Sequence, residues 1–267
     1  MSNEPKSGEL NYPRSEAYGP LTIAHHALGA ALNAALIIAS LVWLGSHTAS
    51  LRHSAWALLF GTLAGLWVAD AISGVLHWTF DTWFAERNQF VQRMVFMVRE
   101  HHLVPQAMFR YPFYHDAGTL SWIMCIVLGP PMILRMLSAD DPSPLAYGAM
   151  WMTDVANVCV VFMLEFHKCG HRPPAHGALG ILQRAGLVLR PRHHARHHRA
   201  PYTVKYCTVN GWANYVLDGV GFFRALEWLI NKLTGAVPRQ DDRAWMAKYQ
   251  PARAAEGVGS RGAGRHP

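Results

Sequence analysis

Charge is what this 267-residue sequence has least of: Asp, Glu, Lys and Arg make up 15% of it, against roughly a quarter in an ordinary soluble domain. The scarcity is uneven. Residues 21–51 contain none of the four, a run longer than the ~20 apolar residues that cross a bilayer core. A soluble core helix does not look like this. Paired cysteines are missing too. Cys125, Cys159, Cys169 and Cys207 stand far apart with no CxxC, which excludes a disulfide framework and a zinc ribbon. There is no internal repeat, and no basic module interleaved with aromatics turns the net charge of +7 into a nucleic-acid footprint.

What is present is apolar, 51% of the chain. Three further stretches, 54–78, 119–137 and 145–166, are long enough to span if some polar interruption is tolerated, giving four spans. The first run follows twenty residues that carry Glu4, Glu9 and Glu16. It also exceeds the apolar region of a signal peptide, so it reads as a retained span. Residues 178–189 and 219–234 read as interfacial or docked helices. The expected fold class is therefore all-α: an integral membrane protein with four transmembrane helices plus cytoplasmic and interfacial helices. Residues 21–236 form the membrane domain between a mobile tail at 1–20 and a second tail at 237–267, largely disordered after 250.

Lys and Arg number two before the first span, one (Arg52) between the first and second, and four between the second and third. One more (Arg135) lies between the third and fourth, and sixteen lie from Lys168 onward. By the positive-inside rule both termini and the middle loop are cytoplasmic, and the surplus charge serves orientation and attraction to anionic headgroups. This topology gathers the sixteen histidines. His77 falls at the cytoplasmic end of span two, and His101, His102 and His115 fall in the middle loop. His167 and His171 end span four, and His176, His193, His194, His197 and His198 follow it. His25, His26, His47, His53 and His266 lie elsewhere and carry no assigned role.

His167 and His171 in FHKCGH are four apart, which on a helix puts both imidazoles on one face about 6 Å apart along the axis. His194, His197 and His198 in HHARHH give the i, i+3, i+4 form, His77 and Asp81 in HWTFD repeat the four-residue step with a carboxylate, and REHH adds His101 and His102. One such motif is usually coincidence. Four on one side of one membrane are not, because ionisable groups at that depth are costly unless paired or ligating. Eight imidazoles suit two metal ions better than one, and imidazole alone leaves Zn, Cu, Fe and Ni open. The cysteines are badly placed for a closed zinc site, and iron with open positions fits O2 activation. Asp70 lies inside span two on the same face as His77 and Asp81. There it either orders a ligand histidine or makes a packing hydrogen bond with Ser73 or another span. Asp154, Asn157 and Glu165 on span four pose the same question.

The stretches ADAISGVLHWTFDTW (69–83), EHH (100–102), FHKCGH (166–171), LQRAGL (182–187) and HARHHRAPYTVKYCTVNGWANYVLD (194–218) together resemble the lipid desaturase family. That family includes plasmanylethanolamine desaturase and a plant desaturase acting on the palmitate of phosphatidylglycerol. The resemblance implies a histidine-rich di-iron site that uses O2 and an external electron donor of the cytochrome b5 or ferredoxin type. It also implies metal ligation by His77, His101, His102, His167, His171, His194, His197 and His198. Asp81 is implied as ligand or ligand partner, and Asp81 and Asp70 are the candidate catalytic carboxylates. Tyr111 and Tyr202 stand where the plasmanylethanolamine branch has histidine, and APY at 200–202 is similar to the plant branch. Both departures favour acyl-chain over vinyl-ether desaturation, and His115 stands where neither branch has histidine.

The implied reaction puts a double bond into an acyl or alkyl-ether chain of a membrane phospholipid or fatty acid. O2 carries four oxidising equivalents and the substrate gives up two electrons, so two more come from a partner protein. Arg190, Arg192, Arg196 and Arg199, with Lys168 and Arg172, read either as a seat for the lipid phosphate or the acidic donor, or as simple positive-inside anchors. A hydroxylase with the same cage shares the first hydrogen abstraction and is not separated from a desaturase by sequence. A histidine-rich metal transporter wants ligands along a through-pathway, and a zinc-stapled scaffold is the remaining alternative.

Overall fold

The computed structural model describes residues 19–47, 55–83, 98–102, 104–138, 141–199 and 201–238, and within them every regular element is helical. Pro20–Ser46 is α1 and Ala55–Thr82 is α2. A helical turn at 98–102 and a 3-10 turn at Pro105–Arg110 lead into α3 (Phe113–Val127) and α4 (Gly129–Leu137). Then come α5 (Pro144–Val161), α6 (Met163–Gly170), α7 (Gly177–Ala185), a short α8 (Pro191–His194), α9 (Ala213–Gly219) and α10 (Phe222–Thr234). The expected tails fall outside the described residues except at 19–20 and 237–238, and so do His53 and His266.

α1 and α2 are each long and apolar enough to cross a bilayer, while α3 with α4 and α5 with α6 qualify as pairs bent by 51° and 54°. Two of the four expected spans are thus single helices, and the other two correspond to bent pairs that make up the number if each pair is one span. The first break falls where Pro130 and Pro131 follow Gly129, since proline has no N–H to give to the preceding turn. Outward faces are apolar, with Leu28, Leu32, Ile38 and Val42 of α1 and Leu59, Phe60 and Leu63 of α2 all exposed.

Lipid tails are as apolar as leucine, so spanning helices associate through close backbone approach and interhelical hydrogen bonds. Gly61 and Gly65 bring α2 against α5: a Cβ on Gly65 would lie 2.8 Å from both the Met152 carbonyl oxygen and Val155 Cβ. Asn33 of α1 and Asn157 of α5 exchange two amide hydrogen bonds of 2.9 Å, and Ser40 donates to Asp154 at 2.7 Å. Glu165 pairs with Lys168 at 2.7 Å, and Lys168 also reaches Asp116 on α3 at 2.8 Å. Asp154, Asn157 and Glu165 therefore work in helix packing, away from the histidines. α10 turns Phe223 and Glu227 inward, where Trp78 donates to the Glu227 carboxylate at 3.2 Å, and leaves Trp228 and Leu233 exposed. That two-faced pattern is the one expected of an interfacial helix.

Candidate metal centre

Four pieces of chain far apart in sequence build the site. α2 brings His77 and Asp81, one turn apart and both buried, at its C-terminal end. The bend at Phe162 swings α6 so that His167 and the C-cap residue His171 join them. Gly170 permits the approach of the next piece: a Cβ there would lie 2.9 Å from Leu189 and 3.1 Å from His194. α8 and the turn after it then deliver His194, His197 and His198, and the turn at 98–102 delivers His101 and His102.

The eight histidines and Asp81 fall into two sets. The ligand atoms of His101, His167, His171, His194 and His198 all lie within 4.8 Å of one another, and those of His77, Asp81, His102 and His197 do the same. The sets adjoin, with ring centroids 4.9 Å apart for His77 and His167 and 4.6 Å apart for His101 and His102. These are the two groups of potential metal ligands among the described residues.

The polar bookkeeping of each set calls for a cation. His194 Nε2 lies 2.8, 3.0 and 2.9 Å from the Nε2 atoms of His167, His171 and His198. One ring nitrogen either donates once or accepts once, so two of those three contacts hold nitrogens together without a shared proton. Both ring nitrogens of His101 are buried with no hydrogen-bond partner among the described residues. In the second set Asp81 Oδ2 is 3.5 Å from Nε2 of His77, of His102 and of His197. Buried polar atoms left in this state are expensive, and the donor set of imidazoles with one carboxylate fits two transition-metal ions.

The protein also fixes which nitrogen points inward. His77 donates its Nδ1–H to the Tyr206 carbonyl at 2.9 Å, and His197 donates its own to the Val204 carbonyl at 2.8 Å. Each Nε2 is thereby left as a lone pair facing the site. Burial, reinforced by the neighbouring imidazoles, holds His101 and His194 well below the ordinary histidine range. The same causes push His171 down to about 4 and His198 to about 2. The neutral form is the ligating form.

The lipid desaturase domain family matches residues 66–241, a stretch that takes in every one of these ligand candidates. The chain belongs to that family. It is 33% identical over 200 residues to plasmanylethanolamine desaturase 1 of Mus musculus, covering 72% of each chain. It is 34% identical over 192 residues to plasmanylethanolamine desaturase of Myxococcus xanthus, covering 70% of this chain and 65% of that one. To the chloroplastic fatty acid desaturase 4 of Arabidopsis thaliana it is 32% identical over 181 residues, covering 66% and 52%. No solved structure matches.

Within this lipid desaturase domain Asp70 stands apart from the cage. Its Oδ1 accepts the backbone N–H groups of Val209, Asn210 and Gly211 at 3.0, 2.9 and 3.0 Å, and its Oδ2 accepts that of Ala213 at 2.9 Å. Ser73 accepts the N–H of Thr208 at 2.9 Å, and Asn214 both accepts from and donates to the backbone of Cys207. Asp70 is thus the anchor of segment 207–213, and this segment follows directly on the Val204 and Tyr206 carbonyls that orient His197 and His77. Sequence reasoning missed Val204, Tyr206 and Asn214. Tyr202, singled out in the sequence only as a departure from histidine, stacks its ring on His102 with centroids 4.6 Å apart and planes 2° apart. A backbone carbonyl leaves no signature in its own side chain, although the positive φ of Tyr202 (61°) and Lys205 (62°) marks how tightly this segment is wound.

Of the four arginines singled out, Arg190, Arg192 and Arg196 line one surface recess, and Arg199 is exposed outside it. His115 lies against His26, with ring centroids 4.6 Å apart, and belongs to neither ligand set.

Proposed function

We propose that the chain is a di-iron, O2-dependent oxidoreductase that introduces a double bond into the hydrocarbon chain of a membrane lipid. One observation carries this reading: an apolar crevice shares its wall with both ligand sets. Phe80, Val98, Met108, Leu120, Met163 and Leu164 line it together with His77, His101 and His167. A lipid chain lodged there lies against histidines of both sets and otherwise meets only hydrocarbon.

The five-histidine set would hold one iron, and His77, His102, His197 and Asp81 the other. Bound iron would supply the O2 activation that an inert alkyl C–H bond requires. The chain's own residues do the rest. The Val204 and Tyr206 carbonyls hold His197 and His77 with Nε2 inward, Asp81 offsets cationic charge beside three imidazoles, and the crevice walls keep water from the reacting carbons. Two of the four electrons that O2 takes up come from the lipid, and two come from an external donor of the cytochrome b5 or ferredoxin type. The similar proteins named as plasmanylethanolamine and fatty acid desaturases support a lipid chain as substrate, and Tyr111 and Tyr202 favour an acyl one. The distribution of Lys and Arg supports a cytoplasmic position for both termini and the cage.

The test is comparative lipidomics of cells with and without the gene, joined to metal analysis of the purified protein. The expected result is one lipid class shifted by the loss of two hydrogens, dependent on O2, with close to two irons per chain. A hydroxylated product would overturn the desaturase reading, and stoichiometric zinc with no iron-dependent activity would overturn the di-iron one.

A further inference from the structure

The turn that delivers three ligands has a second side. His194, His197 and His198 point into the cage, while their neighbours His193 and Arg196 line a recess with Arg190, Arg192, Trp212 and Tyr215. Arg190 is partly committed, since its guanidinium donates to the carbonyls of Gln183 and Arg184 at the end of α7. Arg192 and Arg196 have no ion pair among the described residues, and Asp218, the carboxylate of the adjoining segment, is tied to Lys205 at 3.0 Å. The recess is a concave surface with guanidinium donors and no matching anion among the described residues.

Its surroundings say where the anion comes from. On one side Ala185 and Gly186 end α7, whose Leu179, Ile181 and Leu182 are exposed. On the other, Tyr215, Val216 and Val220 are exposed, as is Trp228 on α10. A basic hollow flanked by exposed apolar side chains has the make-up that suits a bilayer's phosphate layer and the hydrocarbon beneath it. A soluble anion needs no such flanks.

We infer that this recess binds the phosphate of a membrane phospholipid through Arg192 and Arg196. Guanidinium forks match phosphate oxygens in pairs, and the Trp212 and Tyr215 rings suit the glycerol region at the rim. The inference rests on the lipid-modifying role proposed above for its meaning, but its test does not depend on turnover.

The full-length chain in a non-ionic detergent is titrated with dihexanoyl phosphatidylglycerol, and binding is read from phosphorus NMR line broadening. Dihexanoylglycerol, which lacks the phosphate, and inorganic phosphate serve as competitors. Arg192→Gln/Arg196→Gln is expected to weaken the lipid at least tenfold, with Arg192→Lys/Arg196→Lys in between, while both variants keep the wild-type metal content and elution profile. Dihexanoylglycerol is expected not to compete, and inorganic phosphate to compete at least tenfold more weakly than the lipid. Unchanged affinity in the Gln variant would overturn the site. Inorganic phosphate binding as tightly as the lipid would overturn the lipid as ligand. Intact lipid binding with slowed reduction by an acidic donor protein would make the recess a docking face for that donor. A chain that binds the lipid as expected yet forms no double bond would sink the desaturase reading and leave this site standing.

Discussion

Asp70→Asn separates an anchor from a ligand. Four backbone N–H groups converge on the carboxylate, three on Oδ1 and one on Oδ2. Asparagine keeps one oxygen and turns an NH2 toward whatever faced the other, so at least one buried N–H loses its acceptor, at a cost of about 1–3 kcal/mol. The remaining bonds lose their charge assistance, which roughly halves the strength of each. Together these effects come to about 3 kcal/mol of local stability, or roughly a hundredfold in the opening equilibrium. Hydrogen exchange read by mass spectrometry should therefore show the amides of Val209, Asn210, Gly211 and Ala213 exchanging roughly a hundredfold faster. Because the Tyr206 and Val204 carbonyls sit just upstream, the loosened segment should release metal from the set of His77, Asp81, His102 and His197 and leave the five-histidine set loaded. Iron lost with wild-type exchange at those four amides would refute this, since Asp70 would then act on the metal directly. Faster exchange with both irons and full turnover would show that the segment positions nothing.

Asp81→Asn should lower iron to about one per chain by metal analysis without faster exchange at 209–213, because its Oδ2 touches three imidazoles and no backbone of that segment. His194→Ala should cost more iron than His171→Ala, since His194 Nε2 contacts three other ligand nitrogens and His171 Nε2 contacts His194 alone among them; equal losses would count against His194 as the centre of its set. Gly65→Leu should destabilise the fold in a detergent melt by about 1–3 kcal/mol, because its Cβ alone would come within 2.8 Å of α5; an unchanged melt would mean that α2 and α5 do not pack there. A membrane-impermeant thiol reagent should reach cysteines introduced at His47 and at Val237 from opposite sides of the membrane, and labelling from one side would break the assigned topology.

The spans were legible because hydropathy is a local property. The break at Phe162 was not. No proline or glycine marks it, and it lies inside a run, 145–166, that reads as continuous. Asp154 and Asn157 stood out as polar residues in a span, but their partners Ser40 and Asn33 are more than a hundred positions away, so sequence spacing had no means of separating packing from chemistry. Asp70 was flagged for the same reason. Its partners are backbone amides about 140 positions on, and nothing in their side chains announces them.

The histidine spacings sort the ligand candidates between the two sets. Consecutive residues diverge by about 100° around a helix, whereas residues four apart return to nearly the same face. His77 with Asp81, His167 with His171 and His194 with His198 are each four apart, and each pair lies within one ligand set. His101 with His102 and His197 with His198 are tandem, and each pair is divided between the sets. The four-residue steps therefore build the two sites, while the tandem pairs bridge them and hold them side by side. A tandem pair joins one set to the other through a single peptide unit, which limits how far apart they can lie while leaving each set its own ligand candidates. Through those two peptide units, ligand candidates from four distant pieces of chain are gathered as two adjoining sets against one apolar crevice.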